Sequence, residues 1–425
     1  MYPRRMLMAL LGVSALFSVS PVEGGSKTTA PVTCTQIHGA LLSRASTKDW
    51  QALRAESAVP KDALLVALFG ADFRSSNKAV EARMLADVGQ RGPFPVLEAA
   101  VRFHAGSHDL EVTLERGILV LTNVKSSGAA TVRVQITDEA FEVTLTAPKA
   151  RLGVEIYGRH IAGPPRLTKL EDDAPVINAA FFAFEGDIVL AAKEQSVRLN
   201  APPGPALVLW DNLTRMMEVQ RFETLPDSVK PMSAKERTKF DKISGFAKAW
   251  TEVPGGVLKG VTQAVKSADA MERKAAVVAL GALDDDGQLM QLLTEKHQAD
   301  VRDTAIPVMR HWLGRATGQS IRLHAYLQKD GYTPIQAKNL IHLFNGIEKE
   351  KHRQPETYDL LIEALNHAKL PARELARWHL VRMAPAGKTI AYDAAAPEAA
   401  RLDAMAAWRR LIPEGTVPKI SGKQP

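Results

Sequence analysis

The sequence predicts an α+β protein of several domains, in which an N-terminal β-sandwich or roll precedes a C-terminal α-helical solenoid. In the first half, short runs of alternating apolar and polar residues recur about every ten residues, the spacing of strands joined by turns. In the second half, the apolar period becomes that of amphipathic helices. The net positive charge also lies in the second half. Residues 233–425 hold 29 Lys and Arg against 22 Asp and Glu, whereas residues 1–232 hold 25 basic and 25 acidic residues.

The N-terminal segment has the pattern of a secretory signal. Arg4 and Arg5 precede an unbroken small or apolar run, 6–19, and a polar break follows. A run of about 14 residues is shorter than the roughly 20 that a helix needs to cross a bilayer, so a signal peptide over 1–24 is expected rather than an anchor. We expect cleavage within 20–27 and a periplasmic or otherwise extracytoplasmic protein without a stable transmembrane span.

The cysteine content limits how the fold can be stabilised, and the net charge limits which kinds of partner are expected. Cys34 is the only cysteine, so the chain cannot form an internal disulfide, and its stability must come from buried apolar area. The net charge of +7 predicts a solvated surface or, alternatively, attraction to an anionic partner. Nucleic acid is not expected, because the sequence has no basic cluster with interleaved aromatic residues.

The strands of the first half are predicted from period-two alternation. "TVRVQIT" places Val132, Val134 and Ile136 on one face. "FEVTLT" does the same with its own apolar residues. Further strands are predicted at 63–69, 96–103, 110–114, 118–122, 150–156, 176–184, 188–191 and 197–199.

Two stretches of the first half resemble each other. "LERGILVL", 114–121, and "FEGDIVL", 184–190, each place Glu and then Gly ahead of a β-branched apolar run. Glycine supplies the positive φ that tight turns require, so each stretch is predicted to be the same hairpin turn.

A third turn is predicted within "NAPPGPALVLWDN", 200–212. Pro202 and Pro203 preset φ, and Gly204 is expected to take a positive φ. The motif is predicted to close the last β-hairpin and to return Trp210 to the core. The alternative is a binding loop in which Trp210 and Asp211 face a ligand.

Helices in the second half are predicted from spacing and capping. "MERKAAVVALGAL" and "VRDTAIPVMRHWL" repeat apolar residues at helical spacing. Thr333 followed by Pro334 predicts an N-cap, and 284–286 predict another. The run 284–286 lacks the ligand spacing of a calcium loop. A helix pair hinged at Leu370-Pro371 and a last helix in "PEAARLDAMAAWRRLIP" complete the prediction.

Three of these stretches place an arginine just ahead of an alanine-bearing helix, at Arg273, Arg302 and Arg373. In this respect the chain resembles HEAT-type helical repeats over about 257–383, which stack helix pairs into a curved solenoid. The long interval from Arg302 to Arg373 predicts a divergent repeat between them.

The first half is similar to the periplasmic β-domain of FecR-like bacterial proteins, through "LERGILVLTN", "FEGDIVL" and "VRLNAPPGPALVLWDN". The two halves together resemble a group of uncharacterised exported bacterial proteins. The resemblance implies a fold and a location. The FecR signalling role is not expected to carry over, because a cytoplasmic segment ahead of the membrane helix performs it and only five residues precede the apolar run here.

The predicted segments are a signal peptide 1–24, an N-terminal segment 25–57, a FecR-like β-domain 58–220, a linker 221–238, a HEAT-like domain 239–413 and a flexible tail 414–425.

Candidate chemistry is sparse, so the protein is not expected to be an enzyme or to bind a cofactor or a metal. His104 and His108 have the spacing of a helical metal pair but lie in a predicted turn or strand, where that spacing need not converge. Ser75 and Lys78 form a Ser-x-x-Lys without its companion motifs. No nucleophile-elbow, zinc-protease or phosphate-loop motif occurs.

One pair of motifs suggests binding. "RHWL" contains Arg310, His311 and Trp312, and "RWHL" contains Arg377, Trp378 and His379. Either these aromatic side chains fill the core while the polar ones join neighbouring repeats, or the two motifs line a groove that binds protein or glycan.

We expect a non-enzymatic exported binding or scaffold protein with a protein partner in the cell envelope. The alternative is a carbohydrate-binding module or an enzyme that uses a β-roll pocket.

Overall fold

The computed structural model describes residues 30–45, 49–85, 98–224, 232–294 and 298–418, so the predicted signal peptide lies outside it. Its first part consists of strands, which are β1 Val32–Ile37, β2 Ala40–Arg44, β3 Gln51–Ala52, β4 Leu64–Leu68, β5 Ala71–Ser75, β6 Val80–Leu85, β7 Ala99–His104, β8 Leu110–Asn123, β9 Ala130–Ile136, β10 Glu139–Leu145, β11 Arg151–Arg159, β12 Val176–Glu185, β13 Asp187–Ala192, β14 Gln195–Asn200, β15 Pro205–Asp211 and β16 Glu218–Arg221.

The second part is helical and confirms the predicted α+β layout. Its helices are α1 Ala234–Thr251, α2 Val257–Ala264, α3 Ala270–Ala282, α4 Asp286–Gln291, α5 Ala299–Leu313, α6 Gln319–Lys329, α7 Pro334–Asn345, α8 Pro355–Ala364, α9 Leu370–Met383 and α10 Glu398–Leu411. Within the described ranges, none of these helices is both long and apolar enough to span a bilayer.

Among the residues that the structure describes, the strands belong to one hydrogen-bonded network of 16 strands that does not close on itself. It has two halves that share β8. The first part of β8 pairs with β7 and, in parallel, with β9, whereas its second part pairs with β6 and β11. One half contains β1, β5, β6, β11, β12, β15 and β16, and the other contains β2, β3, β4, β7, β9, β10, β13 and β14.

The two Glu-Gly stretches are not hairpin turns, so that prediction is wrong. Gly117 lies inside the continuous strand β8, at the point where β8 passes from one half of the sheet to the other. Gly186 joins β12 to β13, which also belong to different halves. Both glycines have positive φ, +87° and +71°. The shared pattern therefore marks corners between the halves, where glycine permits the bend.

The Pro-Pro-Gly-Pro turn also connects the two halves and does not close a hairpin. β14 pairs with β13, whereas β15 pairs with β12 and β16. Gly204 does not have the predicted positive φ. A side chain there would instead be opposed by Asn200, whose Cβ lies 2.8 Å from the position of an added Cβ. Glycine is therefore favoured at position 204 because the chain passes close to Asn200 there, and not because the backbone has a left-handed φ.

The two halves of the sheet contribute side chains to one apolar core. Phe73 and Phe103, from different halves, have ring centroids 5.0 Å apart. Phe141 from one half contacts Phe181 and Trp210 from the other, at centroid distances of 4.7 and 5.4 Å. Trp210 is only 3% exposed, so it returns to the core as the alternation predicts.

A second core joins the sheet to the helices. Leu42, Val66 and Phe69 lie in it with apolar residues of α1, α2, α3 and α5. This explains why β4, Leu64–Leu68, is buried along its whole length: one face meets the first core and the other meets the helices. Gly158 of β11 and Gly314 at the end of α5 approach so closely that a Cβ on either would overlap the other's carbonyl oxygen.

The helix ends follow the sequence closely. Thr333 and Gln336 form the capping box of α7, with Pro334 in its first turn. The side chain of Asp285 caps α4. Pro371 lies in the first turn of α9, so the chain between α8 and α9 turns ahead of it rather than at a hinge. α1 begins at Ala234, inside the segment predicted as linker.

Candidate binding site on the helical region

Trp210 and Asp211 have structural contacts that account for both. The ring of Trp210 is in the core described above. The Asp211 carboxylate accepts hydrogen bonds from the backbone N–H groups of Leu213 and Thr214, each at 2.8 Å, and from the Thr214 hydroxyl at 2.9 Å. Burial opposes the charge, but these hydrogen bonds outweigh it and lower the pKa of Asp211. Trp210 therefore fills the core, and Asp211 stabilises the turn after β15.

His311 and Trp312 point into the protein. Trp312 is fully buried, and His311 is 4% exposed. The His311 ring stacks on Tyr157 of β11 at a centroid distance of 6.1 Å, and its Nε2 lies 3.5 Å from Glu98 Oε1. Neither side chain can contact a partner at the surface.

The two motifs nevertheless meet, because α5 packs against α9. The guanidinium of Arg310 lies 4.7 Å from the ring centroid of Trp378, and that of Arg382 lies 3.5 Å from the same centroid. We name Arg310, Trp378 and Arg382 the Trp378 cluster. Arg382 is exposed and Trp378 is half-buried, so the cluster reaches the surface.

Sequence reasoning missed Arg382, although its signal is present in "RWHLVRM". Arg382 follows Trp378 by four residues, and side chains four apart lie on one face of a helix. The two flanking motif residues have other partners. Arg377 pairs with Asp303 at 3.2 Å, and His379 Nε2 lies 2.7 Å from the Leu343 carbonyl oxygen.

The electrostatics of the cluster show an excess of positive charge. Burial lowers the pKa of Arg310. Burial and the charge of Arg310 lower the pKa of Arg382 to about 10. Burial lowers the pKa of His379 to about 4, and the charges of Arg310, Arg382 and His342 act in the same direction. Among the described residues, neither Arg310 nor Arg382 has a carboxylate ion-pair partner.

Arg310 has a structural role besides its contact with Trp378. Its guanidinium donates to the carbonyl oxygens of Phe344 and Asn345, at the C-terminal end of α7. This places a cation at the negative end of the helix dipole. Within the part of the chain that the structure describes, the Arg382 guanidinium donates to the carbonyl of Trp378 alone, one turn earlier in its own helix, at 3.2 Å. Arg382 is therefore the member of the cluster with the most capacity for an external ligand.

Two of the three arginines that suggested repeats, Arg273 and Arg373, have matching contacts. Arg273 Nη1 donates to the carbonyl oxygens five and six residues before it, at 3.0 and 2.8 Å. Arg373 Nη1 does the same at 3.2 and 2.8 Å. Arg302 Nε lies 2.5 Å from Glu374 of α9. The guanidiniums of Arg273 and Arg373 thus hold equivalent turns ahead of α3 and α9.

The histidines of the first half are paired rather than freely solvated. His104 Nδ1 lies 2.6 Å from Asp62, and its Nε2 lies 2.7 Å from the hydroxyl of Thr113. His108 lies 2.9 Å from Glu111 and 2.7 Å from Glu142. In the part of the chain that the structure describes, no group of His, Cys, Asp and Glu side chains is arranged to hold a metal ion.

Ser75 and a Ser-His-Asp group both have structural explanations. The Ser75 hydroxyl accepts hydrogen bonds from the backbone N–H groups of Ala79 and Val80 at 3.1 and 3.0 Å. Asp173 accepts from the backbone N–H of Ser320, at the start of α6, at 2.8 Å. Ser320 Oγ and Asp173 Oδ1 both approach His160 through Nε2, at 3.3 and 3.7 Å, so the group lacks the two-sided geometry of a catalytic triad.

Comparison with known proteins identifies no relative: no family model, no curated protein and no solved structure matches this chain.

Proposed function

We propose that this chain is a non-enzymatic, exported binding or scaffold protein whose helical region docks a protein partner of the cell envelope through the Trp378 cluster. The observation that carries the proposal is the position of two guanidinium groups, Arg310 and Arg382, over one half-buried indole. Arg and Trp are the residues that most often dominate the free energy of protein association. Their place at the junction of α5 and α9 gives the cluster a rigid support.

The finer fold proposed is a FecR-like β-sandwich followed by HEAT-like repeats. The aromatic contacts between the two halves of the sheet support a two-layer arrangement. The matching contacts of Arg273 and Arg373 support a helical repeat, because equivalent residues of a repeat make equivalent contacts.

Export is tested on the natural protein. Mass spectrometry should find an N-terminus at or beyond Pro21 in an extracytoplasmic fraction. An intact Met1 in the cytoplasmic fraction would contradict the proposal of a cleaved signal.

Docking is tested by affinity capture. The mature protein should retain an envelope protein that Trp378→Ser does not retain, since the indole holds both guanidinium groups. Met216→Ser is the matched control, because Met216 is 56% exposed and lies far along the chain in the β part. Circular dichroism and the melting temperature establish that both variants are folded. Equal capture by the parent and Trp378→Ser would overturn the proposed site.

A series of hydrogen-bonded side chains, Asp62–His104–Thr113, favours a second candidate function, that of an extracytoplasmic hydrolase. Asp62 orients the imidazole through Nδ1, and Nε2 faces the Thr113 hydroxyl, which is the order of acid, base and nucleophile in hydroxyl catalysis. The test is hydrolysis of p-nitrophenyl acetate by the parent and His104→Gln. An identical rate for both would reject this candidate.

A further inference from the structure

We infer that the Trp378 cluster binds a carboxylate-bearing acidic segment of the partner protein. This inference rests on the proposed function and deepens it, because it names the chemistry that the partner presents. The contact made by the ligand is a pair of parallel hydrogen bonds from the Arg382 guanidinium to a carboxylate.

The geometry prepares Arg382 for such a ligand. Its guanidinium lies 3.5 Å from the centroid of Trp378, close enough for stacking on the indole. A guanidinium held in this way loses less conformational freedom on binding, and its fork of N–H groups matches the two oxygens of a carboxylate. Arg382 is an exposed residue, so a ligand in solution can approach its side chain.

The carboxylate of Asp303, which attracts Arg382, and that of Glu348 already have ion-pair partners. Asp303 pairs with Arg377 at 3.2 Å. Glu348 lies 3.3 Å from His342 and 3.1 Å from Lys351. The positive charges of Arg310 and Arg382 are therefore left without a full counter-charge from the described residues, and an anionic ligand would relieve their mutual repulsion.

The surrounding backbone favours a single negative charge over a double one. Arg382 lies in the last turn of α9, and Arg310 contacts the last carbonyls of α7. The C-terminal ends of helices carry partial negative charge. They oppose a phosphate, with nearly two negative charges at neutral pH, more strongly than a carboxylate with one.

The test measures binding of a fluorescently labelled peptide of alternating Asp and Glu to the full mature chain, by fluorescence anisotropy. We expect Arg382→Gln to weaken binding about 10-fold, and Arg382→Lys to restore only part of it because an ammonium cannot form the paired contact. Arg410→Gln is the control: Arg410 is an exposed arginine in the last turn of α10, and its loss changes the net charge equally. We expect an effect of less than about 2-fold there.

Three outcomes overturn the inference. Equal weakening by Arg382→Gln and Arg410→Gln would show attraction by net charge alone. A phosphoserine peptide of the same net charge that binds more tightly than the acidic peptide would assign the cluster to phosphate. Absence of any binding of the acidic peptide would also reject it. If the parent still captures an envelope protein that Trp378→Ser loses, the proposed function stands while this inference fails; if the parent captures none, the proposed function itself fails.

Discussion

The carboxylate of Glu98 lies 2.6 Å from the guanidinium of Arg315, although 217 residues separate them in the chain. The same Glu98 oxygen lies 2.7 Å from Arg116 Nε, and Arg315 also contacts Asp284 at 2.6 Å. Burial alone would raise the pKa of Glu98, but the charges of Arg315, His311 and Arg116 outweigh it and hold the pKa far below its ordinary value. This buried ionic cluster joins the sheet to the helices.

Glu98→Gln should lower the free energy of unfolding by about 3–5 kcal/mol, because it leaves the Arg116 and Arg315 charges buried without their shared partner. Urea denaturation measures the change. Glu81→Gln is the control: Glu81 pairs with Arg74 at the surface, where the loss should stay below about 1 kcal/mol. Equal unfolding midpoints for the two variants would contradict the role of the cluster.

Limited proteolysis should cut within 226–232, ahead of the N-cap Ser233 of α1, and leave two folded pieces. We expect the pieces to co-elute in gel filtration. Leu42, Val66 and Phe69 of the sheet share a core with the helices, so the cut does not expose that surface. Separate elution of two soluble pieces would show that the shared core is too weak to hold them.

Gly117→Ala should destabilise the protein by about 3 kcal/mol or more. Its φ is +87°, and the new Cβ would overlap the Glu98 carbonyl oxygen and lie 2.5 Å from the Ala99 Cα. Gly128→Ala separates the cost of the positive φ from the cost of the steric overlap, since Gly128 has a φ of +80° but no heavy atom within 4 Å of the added Cβ. Its cost should be about 1–2 kcal/mol. Thermal unfolding of both variants measures the difference, and equal costs would mean that handedness alone matters at the corner.

Trp210→Ala should cost about 3–5 kcal/mol, because the indole is buried against Phe141 in the core. Met216→Ala, at a position 56% exposed, should change the stability by less than about 0.5 kcal/mol. Chemical denaturation gives both values. If Trp210→Ala unfolds at the same denaturant concentration as the parent, the turn after β14 presents a binding loop instead of a core residue.

The protein should lose stability as the pH falls from about 6.5 to about 4, in part through His379. The pKa of His379 is lowered to about 4 in the folded protein, so the unfolded chain takes up a proton in this range before the folded one does. The contribution of His379 amounts to about 3 kcal/mol at the acidic end. His379→Gln should therefore show a shallower loss of unfolding free energy between these pH values. A parental slope in His379→Gln would exclude this residue as a source.

The local elements could be predicted because their causes lie within a few residues. Alternation gave the faces of β9 and β10, and Thr333 with Pro334 gave the start of α7. The arginine pattern led to Arg273 and Arg373, each of which contacts carbonyl oxygens of the turn before its own helix. For the candidate site, the repeated motif led to Arg310 and Trp378 but not to Arg382.

The sequence by itself determined that strands precede helices, where the helices are capped, and that Trp210 returns to an apolar face, because period and capping are short-range properties of the chain. Only the tertiary structure decided that Gly117 and Gly186 turn corners between the halves of the sheet, since a corner and a hairpin require the same positive φ and differ only in which strands pair. It also decided that Glu98 meets Arg315 and that Arg310 meets Trp378, because these contacts depend on how α5 packs against the sheet and α9.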